Sequence, residues 1–312
     1  MARTRTAQIG DMLRLGPRAL ELLAGYGLVI LGAALWGALG LFYHVVIGRY
    51  GLTPLEAVFW RALLAALFLA AWLAWREPAA LRIRRRHISF FLLFGLLGVA
   101  ATYSIYAFAI SAVGMGVAAV LQYTAPAWVA LFSVIVWRES LGRERLAALA
   151  LALAGTTLVG RAYDLDAARL NLLGVAAALA SGVIYAAYVL FIKSATQRGY
   201  GARTVLVYAL ATGTFFLLPL QSPRSLALIG SEPVLIPWLL ALGLVTIAAG
   251  LAFNAGLKRV SASSASIVAT IEPVTAMFLG WAVLGEGLEG PQLLGACCVL
   301  GAVAVLQRRR KR

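Results

Sequence analysis

The sequence predicts an all-α integral membrane protein of ten transmembrane helices, arranged as two inverted five-helix repeats. Composition, span length and the partition of basic residues carry this. Of the 312 residues, 62% are hydrophobic and only 12% are charged, with a mean hydropathy of +0.90. A soluble domain is about 45–50% apolar and roughly 25% charged. No soluble fold of this length hides so much apolar surface, which excludes a cytosolic enzyme or a secreted domain. A net charge of +15 would point to nucleic acid in a soluble protein. Here the basic residues punctuate apolar runs, as membrane topology requires, so lipid is the expected partner and nucleic acid is not.

A helix needs about 20 apolar residues to cross the hydrocarbon. Ten runs qualify: 27–48, 54–75, 88–110, 117–137, 143–160, 170–192, 204–220, 234–257, 260–284 and 290–306. Residues 1–24 carry Arg3, Arg5, Arg14 and Arg18 among scattered leucines and read as a basic cytoplasmic arm. The first run lacks a small-residue cleavage site and is too long for a signal core, so it is a retained span. The third and fourth runs are joined by a very short connection near 111–116, the eighth and ninth by another near 258–261. Both pairs must be hairpins, and both are candidate moving gates. The fifth and tenth runs are the shortest. The domains are then the arm, a first repeat over 25–160, a second over 170–306 and a basic tail over 307–312. Cys297 and Cys298 are neighbours on a helix and point apart, so no disulfide is expected.

Lys and Arg set the orientation. With the N-terminus in the cytoplasm, 22 of the 27 fall in the cytoplasmic segments. Arg49, Arg161, Arg169 and Arg224 lie outside, and Arg61 lies within a span. Both termini are therefore expected in the cytoplasm, with an even number of spans.

A shift of 147 residues partly maps the chain onto itself. Pro126 falls on Pro273, Glu139 on Glu286, Tyr106 on Phe253 and Ala62-Leu63 on Ala209-Leu210. The loop charges do not follow: Arg138, Arg143 and Arg145 fall on Gly285, Gly290 and Gln292, and neutral Ser111-Ala112 on Lys258-Arg259. Chance similarity among Ala/Leu-rich helices does not produce that exchange. Five spans per copy make the copies enter the membrane with opposite orientation, the inverted-repeat plan of many secondary transporters.

Two blocks, Ala125-Pro126 through Trp137-Arg138-Glu139 and Glu272-Pro273 through Leu284-Gly285-Glu286, each set a Pro thirteen residues before a Glu; the first span adds Ala34-Leu35-Trp36-Gly37. On these residues, the chain over 25–306 resembles the drug/metabolite transporter superfamily, EamA type, and within it the bacterial aromatic amino acid exporters. The resemblance implies ten helices in two inverted halves around a central cavity, and export as the direction of transport. The first block departs from the pattern at Arg138.

Pro126 and Pro273 lie within the fourth and ninth spans, where each removes a donor and frees the carbonyl four residues back. Broken backbone is tolerated in a membrane where it is buried in protein or lines a cavity, so both helices are expected to line the substrate path, with Pro126 and Pro273 as the hinges; the alternative is an ordinary kink. Glu272 is the only carboxylate near the centre of a span. A charge there costs roughly 3 kcal/mol on insertion scales and faces the bundle interior. It reads as a proton or cation coupling site or as a packing hydrogen bond. Arg61 reads as a snorkelling cation or a partner of Glu56, the alternative being a clamp on a substrate carboxylate.

Polar and aromatic residues recur at helical spacing. Trp36, Tyr43 and His44 share a face of the first span, Tyr103 and Tyr106 of the third, and Ser181, Tyr185 and Tyr188 of the sixth. Gln122 and Tyr123 stand a turn before Pro126, and Asn254 lies in the eighth span. Interface belts account for Trp60, Trp75 and Trp137 but not for mid-span tyrosines. An aromatic pocket with a few amides and hydroxyls suits an apolar or aromatic small molecule.

The function expected is a secondary transporter exporting amino acids, aromatic or hydrophobic, or related metabolites by alternating access. The alternative is efflux of hydrophobic cationic drugs, with Glu272 as counter-ion. An intramembrane enzyme lacks its constellation: there is no HExxH, no GxSxG and no aspartate in any span. No cofactor, catalytic residue or metal site is expected. The setting expected is a bacterial cytoplasmic (inner) membrane, with the chain as a monomer or weak dimer.

Overall fold

A computed structural model describes residues 17–163 and 171–308. Among the described residues every regular element is a helix. Nine of the predicted runs are, among these residues, helices of at least 18 residues with the hydropathy of a membrane span; the fifth, Arg143–Val159, has 17. The first span runs as an α-helix over Pro17–Tyr43 and continues as a wider π-helical stretch, His44–Arg49. It therefore begins within the arm expected over 1–24, of which residues 1–16 lie outside the described chain. Residues 164–170 and the tail residues 309–312 also lie outside it.

Local chemistry sets the element ends. The second span, Pro54–Arg76, opens with a capping box: the Thr53 amide donates to Glu56 Oε2 at 2.8 Å, and the Glu56 amide to Thr53 Oγ1 at 3.2 Å. Two orphan N–H groups are satisfied at once, and Pro54 needs no partner for the N–H it lacks. Glu56 is thus committed to the helix start and does not pair with Arg61. The third span is Ile88–Leu93, a π-helical stretch Phe94–Ala101, then Thr102–Val113. Thr102 donates to the carbonyls of Leu97 and Gly98 at 3.0 and 3.2 Å, filling the wider turn. A capped nine-residue helix, Pro223–Ser231, occupies the connection between the seventh and eighth spans; it is too short for an apolar-run criterion to find.

The fourth and ninth spans are broken in the same way. The fourth is Met115–Gln122 followed by Ala125–Trp137; the ninth is Ala262–Ala269 followed by Ile271–Leu284. The 147-residue shift carries Met115 to Ala262, Gln122 to Ala269 and Trp137 to Leu284. Both second pieces end on a left-handed residue, Arg138 (φ 52°) and Gly285 (φ 71°). The breaks fall where Pro126 and Pro273 withhold the donors that the Gln122 and Ala269 carbonyls need.

Polar contacts sort the connections onto two faces. On one, Arg203 pairs with Glu77, the Arg84 amide donates to the Tyr200 hydroxyl at 3.1 Å, and Trp137 Nε1 donates to Gln197 at 2.8 Å. Lys193 Nζ donates there to the Val260 carbonyl at 2.8 Å. On the other, Arg224 reaches the Gly51 carbonyl, and Arg161 and Tyr163 both meet Glu289. The first face carries most of the described basic residues. The first and eighth spans are antiparallel, with Gly25 against Gly256 and Gly32 against Ala249. The eighth is the shifted counterpart of the third, which crosses parallel to the first, so the two copies are inverted.

The fifth and tenth spans pack on each other at Gly155 and Gly295. A Cβ on either would lie 2.7 Å from the other's carbonyl oxygen, so only glycine permits this backbone approach. In lipid such close packing substitutes for a hydrophobic drive between helices.

Candidate functional site

The breaks and the glycines opposite them position the site. Gly37 on the first span lies against the Glu272 backbone, where a Cβ would meet the Glu272 carbonyl at 2.5 Å. Gly182 on the sixth lies against the Gln122 and Leu121 carbonyls, at 3.0 and 3.1 Å from its ideal Cβ. Each repeat's broken helix is thus held by the leading helix of the other. Between them lies a cavity of about 200 Å³, walled by all the spans except the fifth and tenth.

The wall has three parts. Trp36 and Tyr43 from the first span, Tyr103 and Tyr106 from the third, Tyr123 from the fourth, and Tyr185 and Tyr188 from the sixth supply aromatic surface. Gln122 and Thr102 add an amide and a hydroxyl, and Leu206, Ala209 and Leu210 of the seventh span with Thr246 and Gly250 of the eighth complete the wall. Arg61 and Glu272 bring opposite charges. Tyr185 stacks on Tyr188 with centroids 6.1 Å apart, and Trp36 is braced by Tyr188 at 6.4 Å and Phe253 at 4.8 Å.

Arg61 differs from the snorkelling expectation. It is 6% exposed and turned into the bundle. Its Nη2 donates to the Tyr103 hydroxyl at 2.5 Å, and its guanidinium carbon stands 5.0 Å from the Tyr103 ring centre and 5.8 Å from that of Tyr43. Its Nε is buried without a partner. The guanidinium thus keeps donors to spare beside two aromatic rings, the geometry of a cation–π contact. Glu272 is half-buried, faces the cavity and makes no ion pair with Arg61. A hydrogen-bonded cation and a carboxyl without an ion-pair contact to it thus line one cavity.

Eight of the eleven residues expected to line the substrate path surround this cavity, and Glu272 joins them. Three lie elsewhere. His44 is exposed in the π-helical end of the first span. Ser181 is fully buried and donates to the Ala178 carbonyl at 2.7 Å. Asn254 is buried, with Nδ2 at 3.4 Å from the Ala202 carbonyl. Helical spacing placed these three correctly along their helices but could not tell one side of a crowded bundle from the next. Pro126 and Pro273 sit beside the cavity, just past the breaks, and do not line it. Trp60 turns its ring N–H inward, unpartnered, unlike the interface anchor expected there.

Two inverted bundles enclosing a polar-aromatic cavity at the helix breaks define a membrane transporter for small molecules. The chain belongs to the EamA-like transporter family, whose pattern matches twice, at residues 23–161 and 172–308. An uncharacterized transporter of Archaeoglobus fulgidus is 32% identical over 222 residues, 68% of this chain and 76% of that one. The threonine/homoserine exporter RhtA of Salmonella typhimurium is 27% identical over 82% of this chain and 81% of its own. The inner membrane transporter YicL of the same species, uncharacterized, is 24% identical over 91% and 96%. A solved crystal structure superposes with a TM-score of 0.75, covering 92% of this chain and 99% of that chain at 21% identity, a likeness of fold.

Proposed function

We propose that this transporter exports amino acids from the cytoplasm by alternating access of the two inverted bundles. The observation that carries the reading is the joint presence of Arg61 and Glu272, unpaired with each other, in one small aromatic cavity. A zwitterion satisfies both: its carboxylate on the Arg61 donors, its ammonium on Glu272. The tyrosines and Trp36 then cover an apolar or aromatic side chain. The cavity of about 200 Å³ falls below the usual 300–1,000 Å³ of drug-sized pockets, which favours a small metabolite. RhtA, an exporter of threonine and homoserine, is a relative whose substrate class agrees.

Efflux of hydrophobic cations would use Glu272 as counter-ion but would bring a second cation against Arg61, so it is the weaker reading. The basic face lies in the cytoplasm by the positive-inside rule, in a bacterial inner membrane. Bending about Pro126 and Pro273 supplies the rocking motion. The test is flux from proteoliposomes loaded with single labelled amino acids, with and without a pH gradient. Saturable flux of at least one supports the reading; its absence for all, alongside flux of lipophilic cations, overturns it.

A further inference from the structure

The two Pro-to-Glu blocks leave one element without a role in substrate binding: the glutamates at their ends, Glu139 and Glu286. They are counterparts under the 147-residue shift, yet they stand differently. Glu139 keeps only 15% of its side chain exposed and caps the hairpin between the eighth and ninth spans. Its Oε2 accepts from Ser263 Oγ at 2.7 Å, and its Oε1 from the Ala262 amide at 3.3 Å. Glu286 is exposed. The hairpins they would hold differ in the same sense. All eight residues of Ala262–Ala269 are buried, whereas over residues 117–122, the counterpart of 264–269, only Ala118 is. The helix of one hairpin is fully buried, and its counterpart is only partly so.

We infer that Glu139 and Glu286 are alternating latches: Glu139 locks the basic face by capping the 262–269 helix, and in the opposite state Glu286 caps the 115–122 helix while Glu139 lets go. The inference rests on the alternating-access reading. A carboxylate on a helix start pairs with free N–H groups and with the positive end of the helix dipole, so it holds only while the hairpin is docked. The latches are unequal. Ser263, which gives Glu139 its shorter bond, has Gly116 as counterpart, without a hydroxyl. Arg145 lies 3.9 Å from Glu139, and Lys193 clamps the Leu257 and Val260 carbonyls; their counterparts are Gln292 and Val46. The basic face is the better-locked one, and its hairpin helix is the fully buried one here.

The experiment uses cysteine accessibility in the full-length protein carrying C297S and C298S. Reporters are Ser266→Cys, buried in the closed hairpin, and its counterpart Ala119→Cys, probed with an impermeant maleimide from each face. Glu139→Gln should raise Ser266→Cys labelling from the basic face about tenfold, the effect of losing a charge-assisted hydrogen-bonded pair, and lower Ala119→Cys labelling. Adding Glu286→Gln should reverse part of that change. Ser263→Ala, which keeps the carboxylate, should give a smaller rise and serves if Glu139→Gln does not fold. Unchanged labelling of both reporters in folded Glu139→Gln, or in Ser263→Ala in its stead, overturns the latch. The readout needs no substrate. Flux with latch-independent labelling removes this inference alone, and a latch response without amino acid flux removes only the substrate assignment.

Discussion

Arg61 and Tyr103 meet across the cavity wall, the guanidinium donating to the phenol oxygen at 2.5 Å while lying over the same ring. The pairing fixes the fork of a buried cation without neutralising it. A neutral partner leaves the charge available to a ligand, where a carboxylate partner would have consumed it.

Arg61→Gln should therefore raise the KM for an amino acid about 30-fold or more, since removing one member of a buried charged contact costs roughly 2 kcal/mol at least. It should also erase the preference for the free acid over its methyl ester. Arg61→Lys should recover little, because an ammonium lacks the planar fork. Competition flux assays with the acid and its ester give both quantities.

Glu272→Gln should act on the other end of the same ligand. It should weaken amino acid transport about tenfold or more and narrow the preference for the free amine over the N-acetyl derivative. If Glu272 also carries the coupling proton, the response of flux to a pH gradient should vanish. Paired flux measurements with and without the gradient separate these effects.

Gly155→Ala should destabilise the bundle by about 1–3 kcal/mol, the range for forced overpacking, because its Cβ would sit 2.7 Å from the Gly295 carbonyl. Gly27→Ala, with nothing within 4 Å of the added atom, should be neutral or slightly stabilising. Thermal denaturation of both variants in the same detergent checks the contrast.

Arg138→Gly should stabilise the protein. Arg138 holds φ 52°, a conformation that costs a residue with a Cβ roughly 1–2 kcal/mol and that Gly285 supplies freely at the equivalent position. The same denaturation assay should give a higher midpoint for Arg138→Gly than for the parent.

Much of this architecture was legible in the sequence, because lipid punishes unsatisfied backbone and forces long apolar helices with charged ends. Prolines 147 residues apart announced the paired breaks, and the loop charges announced the inversion. The site was legible in part. Tyr103, Tyr106, Tyr185 and Tyr188 share faces that a helical period exposes, but Ser181 shares the sixth-span face too and turns to its own backbone instead. The sequence leaves Arg61 open between two readings, because a lone Arg in a span looks the same whether it snorkels or turns inward. Only tertiary contact with Tyr43 and Tyr103 distinguishes them, and a signal was present in Glu56, already claimed by the Thr53 capping box. The left-handed turn at Arg138 could have been read from Gly285 standing at its counterpart.

The central claim is that one cavity between inverted copies takes both ends of an amino acid. Its most direct measurement is equilibrium binding to the purified wild-type protein of three ligands sharing one side chain: the amino acid, its methyl ester and the amine lacking the carboxyl group. Tighter binding of the amino acid than of either derivative, by about tenfold or more, is the result predicted. Equal or tighter binding of the amine would contradict the account, because it would leave Arg61 without a ligand.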